Sequence, residues 1–193
     1  EALKNINALV LRTNIYGWNI QDKHSLGEWL LSQLERRQTI NGFVDVHFSS
    51  IYTFEFAKIL DIAIKKNIKG IYNCGCNDSC SKYEFAKKIA NWFDFDNQYI
   101  KPISIDDFHF KTRRGKNLSF NVNKLHKALG YKLPSIDQSI ESFYRDYKCG
   151  LHKEIKQYFF KPSPQLSFIP YGIHSIDEKD INEVVKVLKS NQI

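Results

Sequence analysis

The run Thr112-Arg113-Arg114-Gly115-Lys116-Asn117-Leu118-Ser119-Phe120-Asn121-Val122-Asn123-Lys124-Leu125 sets two guanidinium groups at a glycine turn just ahead of a short strand and a helix. That arrangement suits a diphosphate. Arginine offers a planar fork of donors that stays charged at any working pH, and glycine lets the backbone approach a phosphoryl oxygen. Alone, the same three residues describe an ordinary solvated basic turn. Two earlier strings give the loop its context. Leu11-Arg12-Thr13-Asn14-Ile15-Tyr16-Gly17 closes a strand, and Ile71-Tyr72-Asn73-Cys74-Gly75-Cys76-Asn77-Asp78-Ser79-Cys80-Ser81-Lys82-Tyr83-Glu84-Phe85-Ala86 runs from a strand into a helix. Thr13 and Asn14 are also what an ordinary strand end carries, where asparagine satisfies turn backbone groups.

These residues must be positioned by alternating strands and helices. Asn7–Arg12 reads as a buried strand, and residues 25–38 as an amphipathic helix capped by Ser25 with Glu28 three residues on, Leu26, Trp29, Leu30, Leu31 and Leu34 lying on its apolar side. A turn at Asn41-Gly42 and the stretch Phe43–Tyr52 lead into a helix from Thr53 to Lys66. Gly70–Cys74 reads as a strand, Ser81 as the cap of a helix over 82–93, and Tyr99–Ser104 as a strand interrupted by Pro102. After the arginine loop, Asn123 opens a helix that stops at Leu129-Gly130, and Ser135 caps another through Tyr147. The pattern is α/β.

Composition excludes several classes. The net charge of +7 arises from lysines and arginines interleaved with acids along helices, so no nucleic-acid partner is expected. No apolar run is long enough for a membrane span, and the expected location is cytoplasmic. A chain of 193 residues without Met that begins at Glu1 reads as a piece of something longer. Cysteines at 74, 76, 80 and 149 lack the paired knuckles of a zinc site, and His47, His109, His126 and His152 show no ligand spacing. No metal is expected, and the thiols read as small buried groups in a reducing compartment.

Over roughly residues 1–147 the three strings together resemble the C-terminal half of extended short-chain dehydrogenases acting on sugar nucleotides, most of all the dTDP-4-dehydrorhamnose reductase family. Asp45, Ser49, Tyr52, Glu55 and Ala57 match a further family stretch, from which Phe48 and Ser50 depart. The resemblance implies the substrate-binding lobe of a Rossmann-like fold, with Thr13 and Asn14 nearest the nicotinamide and the sugar. Arg113 and Arg114 would face the diphosphate of a nucleotide-diphosphate sugar, and Asn117 would be a nearby polar contact. It also implies hydride transfer from NADP or NAD in reduced form to the C4 keto carbon of a 4-keto-6-deoxy sugar nucleotide, with a Tyr-x-x-x-Lys pair protonating the oxygen. No such pair occurs before Leu11, and the Gly-x-x-Gly-x-x-Gly fingerprint is absent. The cofactor would therefore be held mainly upstream of Glu1, no catalytic residue is assigned here, and the chain alone is expected to be inactive. Lys116 departs from the alanine of the reductases and the aspartate of many epimerases. Tyr16 and Gly17 read as structural, and Trp18 and Trp29 as stacking faces for a base, with core packing as the better reading of Trp29. A homodimer is compatible with the resemblance.

Residues 1–150 form the expected substrate-binding region and 151–167 a linker stiffened by Pro162 and Pro164. Residues 168–193 look like the opening of a DegT-type sugar aminotransferase, with Ser175 and Glu178 as a capping box and Ile181, Val184, Val185 and Leu188 as an apolar stripe. Pyridoxal phosphate would belong to the remainder of that module. The whole reads as a reductase of deoxysugar or surface-polysaccharide biosynthesis fused to an aminotransferase. The alternatives are a sugar-nucleotide epimerase/dehydratase and a non-catalytic binding module.

Overall fold

In the computed structural model, residues 7–20, 23–112 and 114–160 are described; the expected aminotransferase segment lies outside them. The chain begins with strand β1 (Leu9–Thr13) and the short β2 (Ile15–Tyr16). Helix α1 (Leu26–Glu35) starts at a complete capping box, in which Ser25 Oγ accepts from the Glu28 amide while the Glu28 carboxylate accepts from the Ser25 amide. It stops three residues short of Gln38, because Arg37 takes a positive φ of 55° that a helix cannot continue.

Strands β3 (Ile40–Phe43), β4 (His47–Phe48) and β5 (Ile51–Tyr52) precede helix α2 (Thr53–Lys65). Asn41-Gly42 is thus not a turn but the middle of β3. A side chain at Gly42 would stand 2.9 Å from the Tyr83 Cα, so the glycine serves close packing of a helix rather than chain reversal. Strand β6 (Gly70–Cys74), the two-residue β7 (Cys80–Ser81) and helix α3 (Lys82–Trp92) follow, then β8 (Ile100–Ile103), β9 (Asn117–Leu118), α4 (Asn123–Leu129) and α5 (Ile136–Lys148). Helix α6 (Leu151–Phe160) occupies ten residues of the expected linker.

Pairing is mostly parallel: β1 with β6, β2 with β5 and β3 with β8 each form a two-stranded ladder, and β4 lies between antiparallel β7 and parallel β9. Pro102 is tolerated because, among the described residues, β8 has β3 as its one strand partner and so lies at an edge. For the same reason β1 is half-buried rather than buried, with Leu9 and Leu11 packed on the core and Arg12 exposed.

Tyr16 is the centre of the core. Its ring meets Phe85 and Phe143 edge-on at 5.1 and 5.5 Å, and its hydroxyl lies 3.0 Å from Ser139 Oγ. Ser139 Oγ also accepts from the Tyr52 amide at 2.8 Å, so one buried hydroxyl of α5 satisfies β2 and β5 together. Trp18 stacks on Phe143 at 4.2 Å and on Tyr147 at 5.7 Å, with His152 of α6 at 4.9 Å, which removes it from the role of a stacking face for a base. Trp29, expected in the core, is 40% exposed. No helix among the described residues is long and apolar enough to cross a membrane.

Candidate functional site

Ligands of parallel α/β sheets gather where strands end at their carboxyl termini. Thr13 ends β1 opposite Cys74, the last residue of β6. The Thr13 hydroxyl is buried and has no hydrogen-bond partner, although buried polar atoms are nearly always satisfied. Asn14 follows it and is fixed through its carbonyl, which accepts from the Ile51 amide at 3.0 Å and from Ser50 Oγ at 2.9 Å. Ser49 is fully buried; its Oγ accepts from the Phe120 amide at 2.8 Å and its carbonyl from the Cys76 amide at 3.0 Å. Ser49 and Ser50 therefore tie the end of β6, the Asn14 backbone and the segment leaving the arginine loop into one bonded unit.

Within that loop, β9 is held to β4 in register His47↔Asn117, and the His47 amide donates to the Lys116 carbonyl at 2.8 Å. The Asn117 side-chain oxygen accepts from the Ser119 amide and hydroxyl at 3.1 and 2.6 Å, so it shapes its own turn. Lys116 reaches Asp45 at 3.0 Å and also bonds Asp106. Asp45 accepts from the Ile105 amide at 2.9 Å and from Ser104 Oγ at 2.7 Å. Those donors, with Lys116, hold its carboxyl well below the usual carboxylate range, and the two carboxylates raise the Lys116 ammonium. The departure at Lys116 is thus a clamp on the base of the loop. Arg114 lies over the Phe110 ring at 5.1 Å and lines a cavity of about 450 Å³ with Phe108, Phe110 and Thr112. Arg113 lies outside the described residues.

Lys82 was not singled out in the sequence. It is half-buried beside Phe48, and burial followed by the nearby Arg114 charge lowers its pKa. The available signal was its position: it opens the first turn of α3, where the helix dipole favours acids over lysine. Two Tyr-x-x-x-Lys strings also occur further along, Tyr83 to Lys87 and Tyr144 to Lys148. Both are helical neighbours whose ammonium stands over the ring face, at 5.5 and 5.6 Å from the centroid, rather than beside the hydroxyl.

Burial pushes the Cys74 and Cys80 thiols up to about 12, and raises Cys76 as well. Cys76 donates its S–H to the Ser50 carbonyl at 3.0 Å, and Cys149 is exposed. Among the described residues no cluster of three or more histidines, cysteines or acids is arranged to hold a metal ion.

Solved structures share this fold. The dTDP-4-dehydrorhamnose reductase of Bacillus anthracis, in complex with NADP, aligns with 24% identity and a TM-score of 0.65 over 72% of this chain and 48% of its own. Its Clostridium acetobutylicum ortholog aligns at 18% and 0.64 over 72% and 49%. A UDP-glucose 4-epimerase of Thermotoga maritima, solved with UDP-glucose, aligns at 16% and 0.54 over 74% and 46%. The chain therefore spans about half the length of each of these proteins. No curated protein sequence matches it. The family model of the RmlD substrate binding domain matches residues 2–149, which covers both the polar strand ends around Thr13 and the arginine loop, and the chain belongs to that family.

Proposed function

We propose that the chain forms the substrate-facing part of an NAD(P)-dependent reductase of a 4-keto-6-deoxy sugar nucleotide in deoxysugar or surface-polysaccharide biosynthesis. The observation that carries this reading is the buried, unpartnered Thr13 hydroxyl beside a backbone-anchored Asn14, in a chain of the RmlD substrate binding domain family. An orphaned hydroxyl at a strand end fits a group that arrives from outside, such as a sugar hydroxyl or a nicotinamide carboxamide. When bound, the nicotinamide supplies the hydride. Thr13 and Asn14 orient the sugar ring and the edge of the nicotinamide. Arg113 and Arg114 hold the diphosphate, with Asn117 keeping the turn beside them in shape. The proton donor is assigned to none of these residues. Residues 168–193 would open a sugar aminotransferase, with pyridoxal phosphate bound in the remainder of that module.

Calorimetric titration with dTDP-, UDP- and GDP-sugars, on this chain and on an Arg113→Ala, Arg114→Ala variant, tests the site. The expected result is binding by the wild type, weakened about tenfold or more in the variant, since each lost contact is a charge-assisted one. Equal binding by both would remove the arginine loop from the site. The fold likeness to the Thermotoga maritima epimerase supports a second reading, epimerisation. In an enzyme that also carries the cofactor-binding half, reduction consumes one NAD(P)H per sugar nucleotide converted, whereas epimerisation consumes none.

A further inference from the structure

Ser49 sits where three segments meet. Its carbonyl accepts from the Cys76 amide at 3.0 Å and so holds the chain leaving β6, the strand whose last residue lies opposite Thr13. Its neighbour Ser50 donates through Oγ to the Asn14 carbonyl at 2.9 Å, and the Ser50 carbonyl accepts from the Cys76 thiol at 3.0 Å. The Ser49 side chain serves the third segment: its Oγ accepts from the amide of Phe120, two residues beyond β9, at 2.8 Å.

The joint is closely packed. Ser49 is fully buried, and a Cβ on Gly75 would collide with its carbonyl and stand 3.1 Å from the Phe120 ring. An amide packed this closely needs its acceptor, since removing the hydroxyl leaves an unsatisfied donor rather than a hydrated one. A second tie between the strand ends and this stretch, in which Asn73 Nδ2 donates to the Asn121 carbonyl, is exposed and 3.4 Å long, too weak to fix a position. Upstream, the loop is fastened to β4 and to Asp45, outside the β1–β6 ladder. The Ser49 hydroxyl therefore carries the register between the Thr13–Asn14 strand end and the segment leaving the arginine loop.

We propose that Ser49 is a positioning residue that fixes the span between these two parts of the site, so that the site selects ligands long enough to occupy both. This rests on the sugar-nucleotide reading, in which the sugar lies at the strand end and the diphosphate at the loop. A fixed spacing makes the second contact effectively intramolecular for a ligand that spans both parts, and does nothing for a ligand that reaches only one. Ser49 acts through the backbone it ties, not by contact with the ligand.

The test uses the full 193-residue chain, with dTDP-glucose and dTDP, which lacks the sugar, as separate probes. Wild type, Ser49→Ala and Ser49→Cys are compared by calorimetry, and exchange of the Phe120 amide is followed by NMR without ligand. Alanine keeps the packing and removes the acceptor; cysteine keeps a weak one and carries the comparison if the alanine variant does not fold. In Ser49→Ala the Phe120 amide is expected to exchange about tenfold faster, dTDP-glucose affinity to fall about tenfold, and dTDP affinity to stay within about twofold. Ser49→Cys is expected to lie between wild type and Ser49→Ala. Affinities for the two probes that fall together or stay together, or a Phe120 amide as protected as in wild type, would make Ser49 an ordinary core residue and overturn the proposal. A wild-type chain that binds dTDP as tightly as dTDP-glucose would also overturn it, because no ligand then gains from spanning the two parts, while leaving the arginine loop as the diphosphate side. A chain that binds neither probe would overturn the proposal and the sugar-nucleotide reading together.

Discussion

At the scale of single residues, the site is shaped by how each charge is matched. Asp45 collects a backbone amide, a hydroxyl and an ammonium, and these hold its carboxyl below the ordinary range. In the unfolded chain that carboxyl titrates near about 3.9, so its contribution to stability is fully present above roughly pH 4 and is lost as the pH falls through the folded value. Asp45→Asn is therefore expected to lower the melting temperature near neutrality, with the gap to wild type narrowing in acid. A gap that stays constant from about pH 6 to pH 3 would show that the carboxylate charge does not hold the loop. Asp45 was readable in the sequence as a match to a family stretch, but its partners were not. Ser104, Ile105 and Lys116 lie some sixty to seventy positions further along, and no local pattern announces a clamp assembled at that range.

At the scale of elements, the caps and stops were legible because they are local chemistry. Ser25, Ser81 and Ser135 each open a helix with a full capping box, as their spacing to Glu28, Glu84 and Gln138 requires. The interruptions were less legible, because glycine signals a turn and a close approach with the same letter. Gly42 proved to lie inside β3, and Gly17 is needed where β2 meets the start of α2: a Cβ there would fall 1.8 Å from Thr53 Oγ1. Gly17→Ala is expected to cost about 2 kcal/mol in urea denaturation, as overpacking does, because the Thr53 hydroxyl that donates to the Tyr16 carbonyl must move. Gly115→Ala, which meets Leu118 at an ordinary 3.5 Å, is expected to change stability by less than about 0.5 kcal/mol. Equal costs at the two positions would mean that the β2 to α2 junction yields more readily than its geometry indicates. Helix α6 was read as linker because its aromatic partners, Trp18 and Tyr147, lie on other elements.

For the whole molecule, the parallel ladders mean that stability rests on segments distant in sequence. β1 pairs with β6 across two intervening helices and four short strands, and the Tyr52 hydroxyl reaches Asp146 at 2.7 Å across 94 positions. The α/β character was legible from alternation alone, whereas the division of the strands into four small sheets among the described residues depends on crossovers that alternation does not specify. The hydroxyl bridge between Tyr16 and Ser139, 123 residues apart, bears on how the chain is made. On the ribosome, β2 and its central tyrosine emerge long before α5, so the Tyr16 hydroxyl has no Ser139 partner until that helix is made. Nascent chains halted with residues only as far as Gly130 outside the exit tunnel are expected to be cut readily by protease, and those that also expose α5 to resist. Synthesis of this unit is thus a race between translation speed and aggregation, in which the cell's chaperones have something to hold for most of the chain's length.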